Sequence, residues 1–141
     1  MAKKKFLGCQ YPIIKTSHGL LAQKSGVDQI KADLLQLLLT NPGERVMLPM
    51  YGTPLRKLFF EPNDPTLTFR AEQMIANAIL NWEPRIVITQ IKVTNSFDKN
   101  DLHPDDTKEE LDTILGIKIQ FVDPQNISEV EQLEIQLPIG D

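Results

Sequence analysis

The sequence predicts an α+β fold in which helices come first and pack on a C-terminal three-stranded antiparallel sheet. Helical apolar spacing occupies the region between residues 27 and 82, and the period then changes to the alternation of strands. A sheet with one apolar face needs a cover, which the preceding helices can supply. We therefore expect a partly ordered N-terminal arm over residues 1–26 and a single domain over residues 27–141.

The size, composition and charge of the chain are those of a single globular domain. The 141 residues suffice for one domain with a single core, and hydrophobic and charged fractions of 41% and 24% are ordinary for a globular chain. A formal net charge of −4 gives no electrostatic footprint for nucleic acid. No apolar run approaches the ~20 residues of a membrane span. We expect neither nucleic acid nor membrane as a partner.

The cysteine content excludes an internal disulfide and a metal cluster held by cysteines. Cys9 is the only cysteine, so the chain forms no internal disulfide and no cysteine metal cluster, which fits a reducing cytoplasm. The segment ending at Cys9 resembles a lipoprotein cleavage box, but no apolar region separates it from the N-terminal lysines. We predict no metal and no cofactor.

The N-terminal arm combines two short extended pieces with a turn. Residues 11–15 suit a short strand, which Pro12 would confine to a sheet edge or a strand start. Residues 17–19 suit a turn, and residues 20–22 a second extended piece. His18 is interpreted as a turn residue, because no nucleophile is evident near it in the sequence.

The first helix is predicted over Val27–Leu39, with a wide apolar stripe and with Lys31, Asp33 and Gln36 left for solvent. Gly43 can end it in a left-handed conformation. Thr53 then opens a short second helix with a capping hydroxyl, and Pro54 suits its first turn.

The long helix that follows is predicted to start at Asp64 as the cap, with Pro65 in the first turn. Pro84 stops it, because the residue before a proline is pushed out of the α region. The apolar side chains at the spacing of one helical face are Leu67, Ala71, Met74, Ile75, Ala78, Ile79 and Trp82.

Glu83 and Arg85 flank that proline. They lie two residues apart in extended chain, so their side chains project to roughly the same side. A carboxylate and a guanidinium on a stiff corner form an oriented pair of charges. Such a pair could hold another subunit or brace its own chain, and the residues leave both open.

Three strands complete the chain. Residues 86–94 form the first, with Val87, Ile91 and Val93 on one face; residues 112–122 form the second; the third alternates up to Pro138. Between the first two, residues 95–110 hold six acidic residues against two lysines and indicate a surface loop. A calcium site there would lack the order of an EF-hand loop.

Several of these features together resemble the baseplate wedge family of contractile-tailed phages, also called sheath initiators. Related subunits occur in type VI secretion and other contractile injection machines. The resemblance covers about two thirds of the chain. The residues that carry it, in order, are the helix Ile30–Leu39, Thr40, Gly43-Glu44-Arg45, Tyr51-Gly52, Leu58-Phe59, Ala78 and Glu83-Pro84-Arg85-Ile86.

The resemblance implies a non-enzymatic structural subunit, made in the host cytoplasm and located in the baseplate of a virion tail. It implies that Glu83, Pro84 and Arg85 bind other baseplate wedge proteins. It also implies that the sheet from Ile86 to Leu137 meets the tail sheath protein by strand exchange, so that the subunit templates sheath assembly. Glu44 and Arg45 support the family assignment as a brace or a contact.

Family members are sometimes labelled lysozyme-like, so a peptidoglycan-cleaving glycosidase is the alternative. Glycoside hydrolysis uses two carboxyl groups, one with a raised pKa. Glu44 and Glu83 each have an arginine beside them in sequence, and a neighbouring guanidinium lowers a carboxyl pKa. Glu61 lies at a proline turn. The chain is only 6% aromatic, so it lacks saccharide platforms, and we predict no catalytic residue.

Overall fold

Two α-helices and a three-stranded antiparallel sheet carry the fold in the computed structural model, with a small hairpin at the N-terminal end. The structure describes residues 7–61, 65–94, 114–124 and 126–138. This architecture confirms the predicted α+β class. The elements in chain order are β1 (Leu7–Cys9), β2 (Gln23–Ser25), α1 (Val27–Leu39), a 3₁₀ helix (Pro54–Phe60), α2 (Pro65–Trp82), β3 (Val87–Thr94), β4 (Ile114–Asp123) and β5 (Asn126–Pro138).

Both α-helices bury the apolar stripes that predicted them. On α1, Ile30, Leu34 and Leu37 are almost fully buried. On α2 the stripe is buried at five positions, while Met74 and Trp82 pack against the core from partly exposed positions. Asp64, the predicted cap of α2, lies outside the described residues. The apolar faces of α1 and α2 meet the sheet in one continuous core.

The sheet has the order β3-β4-β5, so β4 is its central strand. Four alternating side chains of β4 form the middle of the core: Leu115, Ile117, Ile119 and Phe121. The opposite face is polar, and the register aligns polar and charged side chains in rows across the three strands. One row joins Lys92 to Lys118 and Lys118 to Glu134. The helices thus cover one face and leave the other wet.

The first strand departs from the predicted pattern at its start. Val87 was expected on one face with Ile91 and Val93, but this prediction is wrong, because the Val87 side chain is 53% exposed while Val93 is buried. The register of β3 against β4 shifts between Ile88 and Gln90, the mark of a bulge. The extra residue changes the phase of alternation, so Ile88 and Ile91, three residues apart, both pack against the core.

The N-terminal hairpin is formed by strands that lie outside the two predicted extended pieces. The strand expected at residues 11–15 does not form; instead β1 pairs with β2, and Lys15 makes an isolated bridge with Leu21. The expected turn is confirmed. Gly19 N donates to Thr16 O at 3.0 Å, and Thr16 N donates to Leu20 O at 2.7 Å.

Thr53 does not cap the short helix with its hydroxyl, so that prediction is wrong. Its Oγ1 donates to the carbonyl of Leu37 at 3.2 Å, and its backbone N donates to Thr40 O at 2.8 Å. These last-turn carbonyls of α1 need partners. Thr53 therefore attaches the loop after α1 to the end of that helix.

The acidic loop at 95–110, with its calcium alternative, lies outside the described residues. Among the helices that the structure describes, none is long and apolar enough to cross a membrane.

Candidate functional site

A salt-bridged corner forms where α2 ends and β3 begins. Glu83 N donates to Ile79 O at 2.8 Å, which closes the last turn of the helix before Pro84. The Glu83 carboxylate is 5% exposed. Arg85 Nε donates to Glu83 Oε1 at 2.6 Å, and Arg85 Nη2 donates to Glu83 Oε2. The contact is bidentate, which fixes the orientation of the guanidinium plane.

A second carboxylate completes this network from the first helix. Arg85 Nη2 also donates to Asp33 Oδ2, and Asp33 Oδ1 accepts from Gln29 Nε2 at 2.7 Å. The hydrogen bond to Glu83 raises the pKa of Arg85 well above its usual value; burial opposes this rise and Asp33 adds to it. One charged guanidinium therefore joins α1, the end of α2 and the start of β3. We call Asp33, Glu83 and Arg85 the corner network.

The N-terminal hairpin lies on the same network. Gln29 is only 4% exposed. A Cβ added at Gly8 would come within 2.5 Å of Gln29 Nε2, so a side chain on β1 would collide with it. Gln29 Oε1 is buried and has no hydrogen-bond partner among the residues that the structure describes. The hairpin therefore packs closely on Gln29, which is hydrogen-bonded to Asp33 of the network.

An aromatic stack joins the corner to the loop after α1. The Tyr51 and Trp82 rings meet edge to face, with centroids 5.3 Å apart, and the Arg45 guanidinium carbon lies 4.0 Å from the Tyr51 ring centroid. Burial raises the pKa of Tyr51; Arg45 lowers it, and the charges of Asp33 and Glu83 raise it further. Tyr51 therefore lies within the electrostatic field of both carboxylates of the network.

Glu44 and Arg45 lie beside the corner network, and their own contacts are within the loop. Glu44 Oε2 accepts from the backbone N of Asn41 at 3.0 Å, and Glu44 Oε1 lies 3.5 Å from Arg56 Nη1. Arg45 stacks on Tyr51 as described. The two residues thus hold the loop in shape, while Arg85 is held by Asp33 and Glu83.

Sequence reasoning missed Asp33 and Tyr51. It left Asp33 for solvent, because the residue falls outside the apolar stripe of α1. The spacing of Gln29 and Asp33 places them on one helical face, but nothing in the sequence links Asp33 to Arg85, 52 residues later. Tyr51 was noticed only as part of the family pattern, and its contact with Trp82 depends on how the loop folds.

The arrangement is suited to rigid presentation of a surface. Pro84 is exposed and the Arg85 side chain is 28% exposed, so both can touch another molecule. The three carboxylates considered for catalysis each lie near a guanidinium: Glu83 near Arg85, Glu44 near Arg56, and Glu61 near Arg70. In the part of the chain that the structure describes, each of these carboxylates therefore has a guanidinium partner.

The α+β fold of this chain recurs in subunits of solved baseplate structures. Residues 24–121 match the family model described as baseplate wedge protein gp25. This span exceeds half of the chain, so the chain belongs to the gp25 baseplate wedge family and is a gp25-like structural component of a baseplate. The predicted family is thereby confirmed.

Similar proteins agree with this assignment. The chain is 28% identical over 117 residues to baseplate wedge protein gp25 of Enterobacteria phage T4, covering 83% of this chain and 79% of that protein. A Geobacter sulfurreducens crystal structure, of a protein provisionally named a tail lysozyme, matches with a TM-score of 0.65 at 22% identity, covering 84% and 96%. The cryo-EM structure of the anti-feeding prophage baseplate matches with a TM-score of 0.60 at 19% identity, covering 93% and 83%. At these identities the two structures show the shared fold alone.

Proposed function

We propose that this subunit docks on the baseplate core of a contractile virion tail through the corner at Glu83, Pro84 and Arg85, and that its sheet templates the first ring of the tail sheath. The observation that carries the proposal is the corner network itself. Glu83 and Asp33 hold the Arg85 guanidinium in one orientation, while Pro84 and part of Arg85 stay accessible. A pre-oriented group loses little freedom on binding, which favours a fixed angle between subunits.

The roles within the tripeptide differ. Glu83 is buried and both its carboxylate oxygens accept from Arg85, so it acts as a brace. Pro84 supplies an exposed apolar contact, and the Arg85 side chain is 28% exposed and so reaches the surface. A partner carboxylate or backbone carbonyl is the group that this guanidinium would bind.

The sheet offers two edges, and they are not equivalent. At the outer edge of β3, Val93 N donates to Glu72 Oε1 of α2 at 3.1 Å, so a helix side chain already occupies a backbone donor there. At the other edge, β5 is 13 residues long, and α1 reaches it through Lys31 Nζ, 2.7 Å from Glu131 Oε2. Because this contact uses side chains, it does not itself occupy the main chain of β5. We therefore assign the sheath strand to β5.

Co-purification with the wedge and sheath proteins encoded beside this chain tests the docking step. The natural chain is expected to capture the wedge protein. Arg85→Ala should be less stable, and it is expected to lose the wedge protein under conditions where circular dichroism still shows a folded chain. A folded natural chain that captures neither protein contradicts the proposal. Loss of the fold in Arg85→Ala would make the corner an internal brace only.

Hydrogen exchange tests the templating step. Addition of the sheath protein should slow exchange of amides in β5, because a new strand would pair with them, and should leave β3 unchanged. Protection confined to β3 would reverse the assignment of the edge.

The alternative is a peptidoglycan-cleaving glycosidase, for which the name of the Geobacter protein is the reason. A peptidoglycan turbidity assay separates the two functions. We expect no clearing by the natural chain. Clearing that disappears in Glu44→Gln or Glu83→Gln would establish the enzyme instead.

A further inference from the structure

The loop between α1 and the 3₁₀ helix has a defined backbone. Gly43 N donates to Pro49 O at 2.7 Å, which closes the loop at its base. Within it, Leu48 N donates to Arg45 O at 3.3 Å, and Tyr51 N donates to Leu48 O at 3.1 Å. Consecutive turns of this kind hold the tip in one conformation without support from a packed core.

The tip of this loop exposes large apolar side chains. Val46 and Met47 are each 92% exposed and Met50 is 77% exposed, while Leu48 is 40% exposed. Loop tips are ordinarily polar, and single exposed apolar residues are common; four in five consecutive positions form a contiguous apolar projection. We call residues 46–50 the apolar knob.

The knob stands on the corner described above. Arg45, at its first end, stacks on Tyr51, and Tyr51 at its other end contacts Trp82. At Gly52 the backbone has a φ of 123°, and an added Cβ would come within 2.3 Å of Thr40 O. The base of the knob is thus fixed against both α1 and the end of α2, one residue before Glu83.

Basic residues flank the knob in the sequence. Arg45, Arg56 and Lys57 lie at its base or on the adjoining 3₁₀ helix, and Glu44 is the acidic residue that faces Arg56 at 3.5 Å. Arg56 and Lys57 are exposed. Residues 41–60 carry three positive charges and one negative charge, and Asp33 and Glu83 behind the knob are paired with Arg85. This balance favours a partner surface that is acidic around its apolar centre.

From these observations we propose that the apolar knob inserts into an apolar pocket, ringed by carboxylates, on another protein of the same baseplate. The inference rests on the proposed docking function and names the surface that supplies most of its binding energy. Anchors that fill a pocket dominate protein interfaces, and methionine adapts to the shape of such pockets.

A second copy of this chain is a poorer occupant. A two-fold contact between knobs would bring the same cationic surroundings of both copies face to face. Like charges at such a contact oppose association. A partner with acidic residues at the rim has no such repulsion and would be attracted over a longer distance.

The test compares binding to the co-expressed wedge protein by the natural chain and by two variants. Met47→Ser with Met50→Ser removes two knob side chains, and we expect the Kd to rise about 30-fold or more. Phe69→Ser with Leu80→Ser is the matched control, since these side chains are 62% and 73% exposed on α2; its Kd should stay within about 3-fold of the natural value.

Charge reversal tests the acidic rim. Arg56→Glu with Lys57→Glu should slow association about 10-fold at low salt, and the difference should shrink as salt is raised. Association at an unchanged rate contradicts an acidic partner.

The possible outcomes distinguish failure of the knob as the binding surface from failure of the docking function. If the natural chain binds the wedge protein and the knob variant binds equally well, the knob is not the docking surface, while the docking function stands. If the natural chain does not bind, the docking function fails and the knob assignment falls with it. Light scattering that finds a dimer of the natural chain and a monomer of the knob variant would identify a second copy as the occupant and overturn the proposal.

Discussion

Carboxylate–cation contacts at the helix–strand corner and on the wet face of the sheet differ in how far they are exposed to solvent. In the corner network, the side chains of Glu83, Arg85 and Asp33 are 5%, 28% and 31% exposed. On the wet face of the sheet, Lys118 Nζ lies 3.0 Å from Glu134 Oε1, but these side chains are 42% and 61% exposed. Both contacts bring a cationic nitrogen within hydrogen-bonding distance of a carboxylate oxygen, but the pair on the wet face is more exposed to solvent.

The difference teaches which charges the fold depends on. A group removed from water has lost its hydration, so its partner must replace those interactions. An exposed pair keeps most of its hydration and gains little from the contact. We therefore expect the corner to respond strongly to loss of a charge and the wet face to respond weakly, although both contain ion pairs.

Glu83→Ala should give the largest effect. It leaves the Arg85 guanidinium partly buried without its bidentate contact to Glu83, and removal of one member of a buried pair costs about 3 kcal/mol or more. The measurement is the free energy of unfolding from urea denaturation followed by circular dichroism.

Two comparisons control this prediction. Glu83→Gln keeps the shape of the side chain and should cost less than Glu83→Ala. Glu134→Ala on the wet face should cost less than about 1 kcal/mol. Equal losses in Glu83→Ala and Glu134→Ala would show that burial does not distinguish the two regions.

Gly52→Ala should give the next largest effect, because it disturbs the support of the corner without changing a charge. Its φ of 123° is unfavourable for a residue with a Cβ, and that atom would meet the carbonyl oxygen of Thr40 at 2.3 Å. Backbone strain of this kind costs about 1–3 kcal/mol.

Thermal unfolding compares Gly52→Ala with Gly43→Ala, whose added Cβ meets nothing within 4 Å. Because both glycines have a positive φ, the difference between the two variants measures the clash alone. An equal melting temperature in both variants would contradict a role for the clash.

The sequence was sufficient for the helices and for most of the sheet. The bounds of α1 followed from its apolar stripe, and those of α2 from its stripe and from Pro84, because period and proline act locally. The bulge in β3 was not visible, since Val87, Ile91 and Val93 fit an unbroken alternation equally well. The position of the bulge depends on how β3 pairs with β4. Because this pairing joins distant parts of the chain, the sequence of β3 alone does not reveal it.

The candidate site was predictable only in part. Glu83, Pro84 and Arg85 stand out because they follow a helix and surround a proline. Asp33 does not, because on α1 it has the spacing of a solvent-facing residue, and only the packing of α1 against the end of α2 brings it to Arg85. The apolar knob was also missed, because short apolar runs are ordinarily assigned to the core.

Alkaline pH should weaken the corner through Tyr51. Burial raises its pKa in the folded chain above the ordinary value of 10.0. Between that value and the higher folded one, the unfolded chain releases the phenol proton more readily, so it binds fewer protons than the folded chain. Stability therefore falls as the pH rises above about 10. Tyr51→Phe cannot ionise and should remove this part of the alkaline loss, with Tyr11→Phe as the control; an unchanged pH profile in Tyr51→Phe would contradict it.

The smallest expected effect is that of the exposed pair on the wet face. Lys118 lies between Lys92 and Glu134 in the cross-strand register, so Glu134 offsets a like-charge neighbour as well as binding Lys118. Glu134 Oε1 also accepts from Gln132 Nε2, so a single truncation would remove two contacts at once. A double-mutant cycle with Lys118→Ala and Glu134→Ala isolates the pair, and its coupling energy should be about 0.5 kcal/mol and fall with added salt. A coupling above about 2 kcal/mol would mean that exposure at the sheet surface does not weaken an ion pair as it should, and the contrast with the corner would then have to rest on geometry alone.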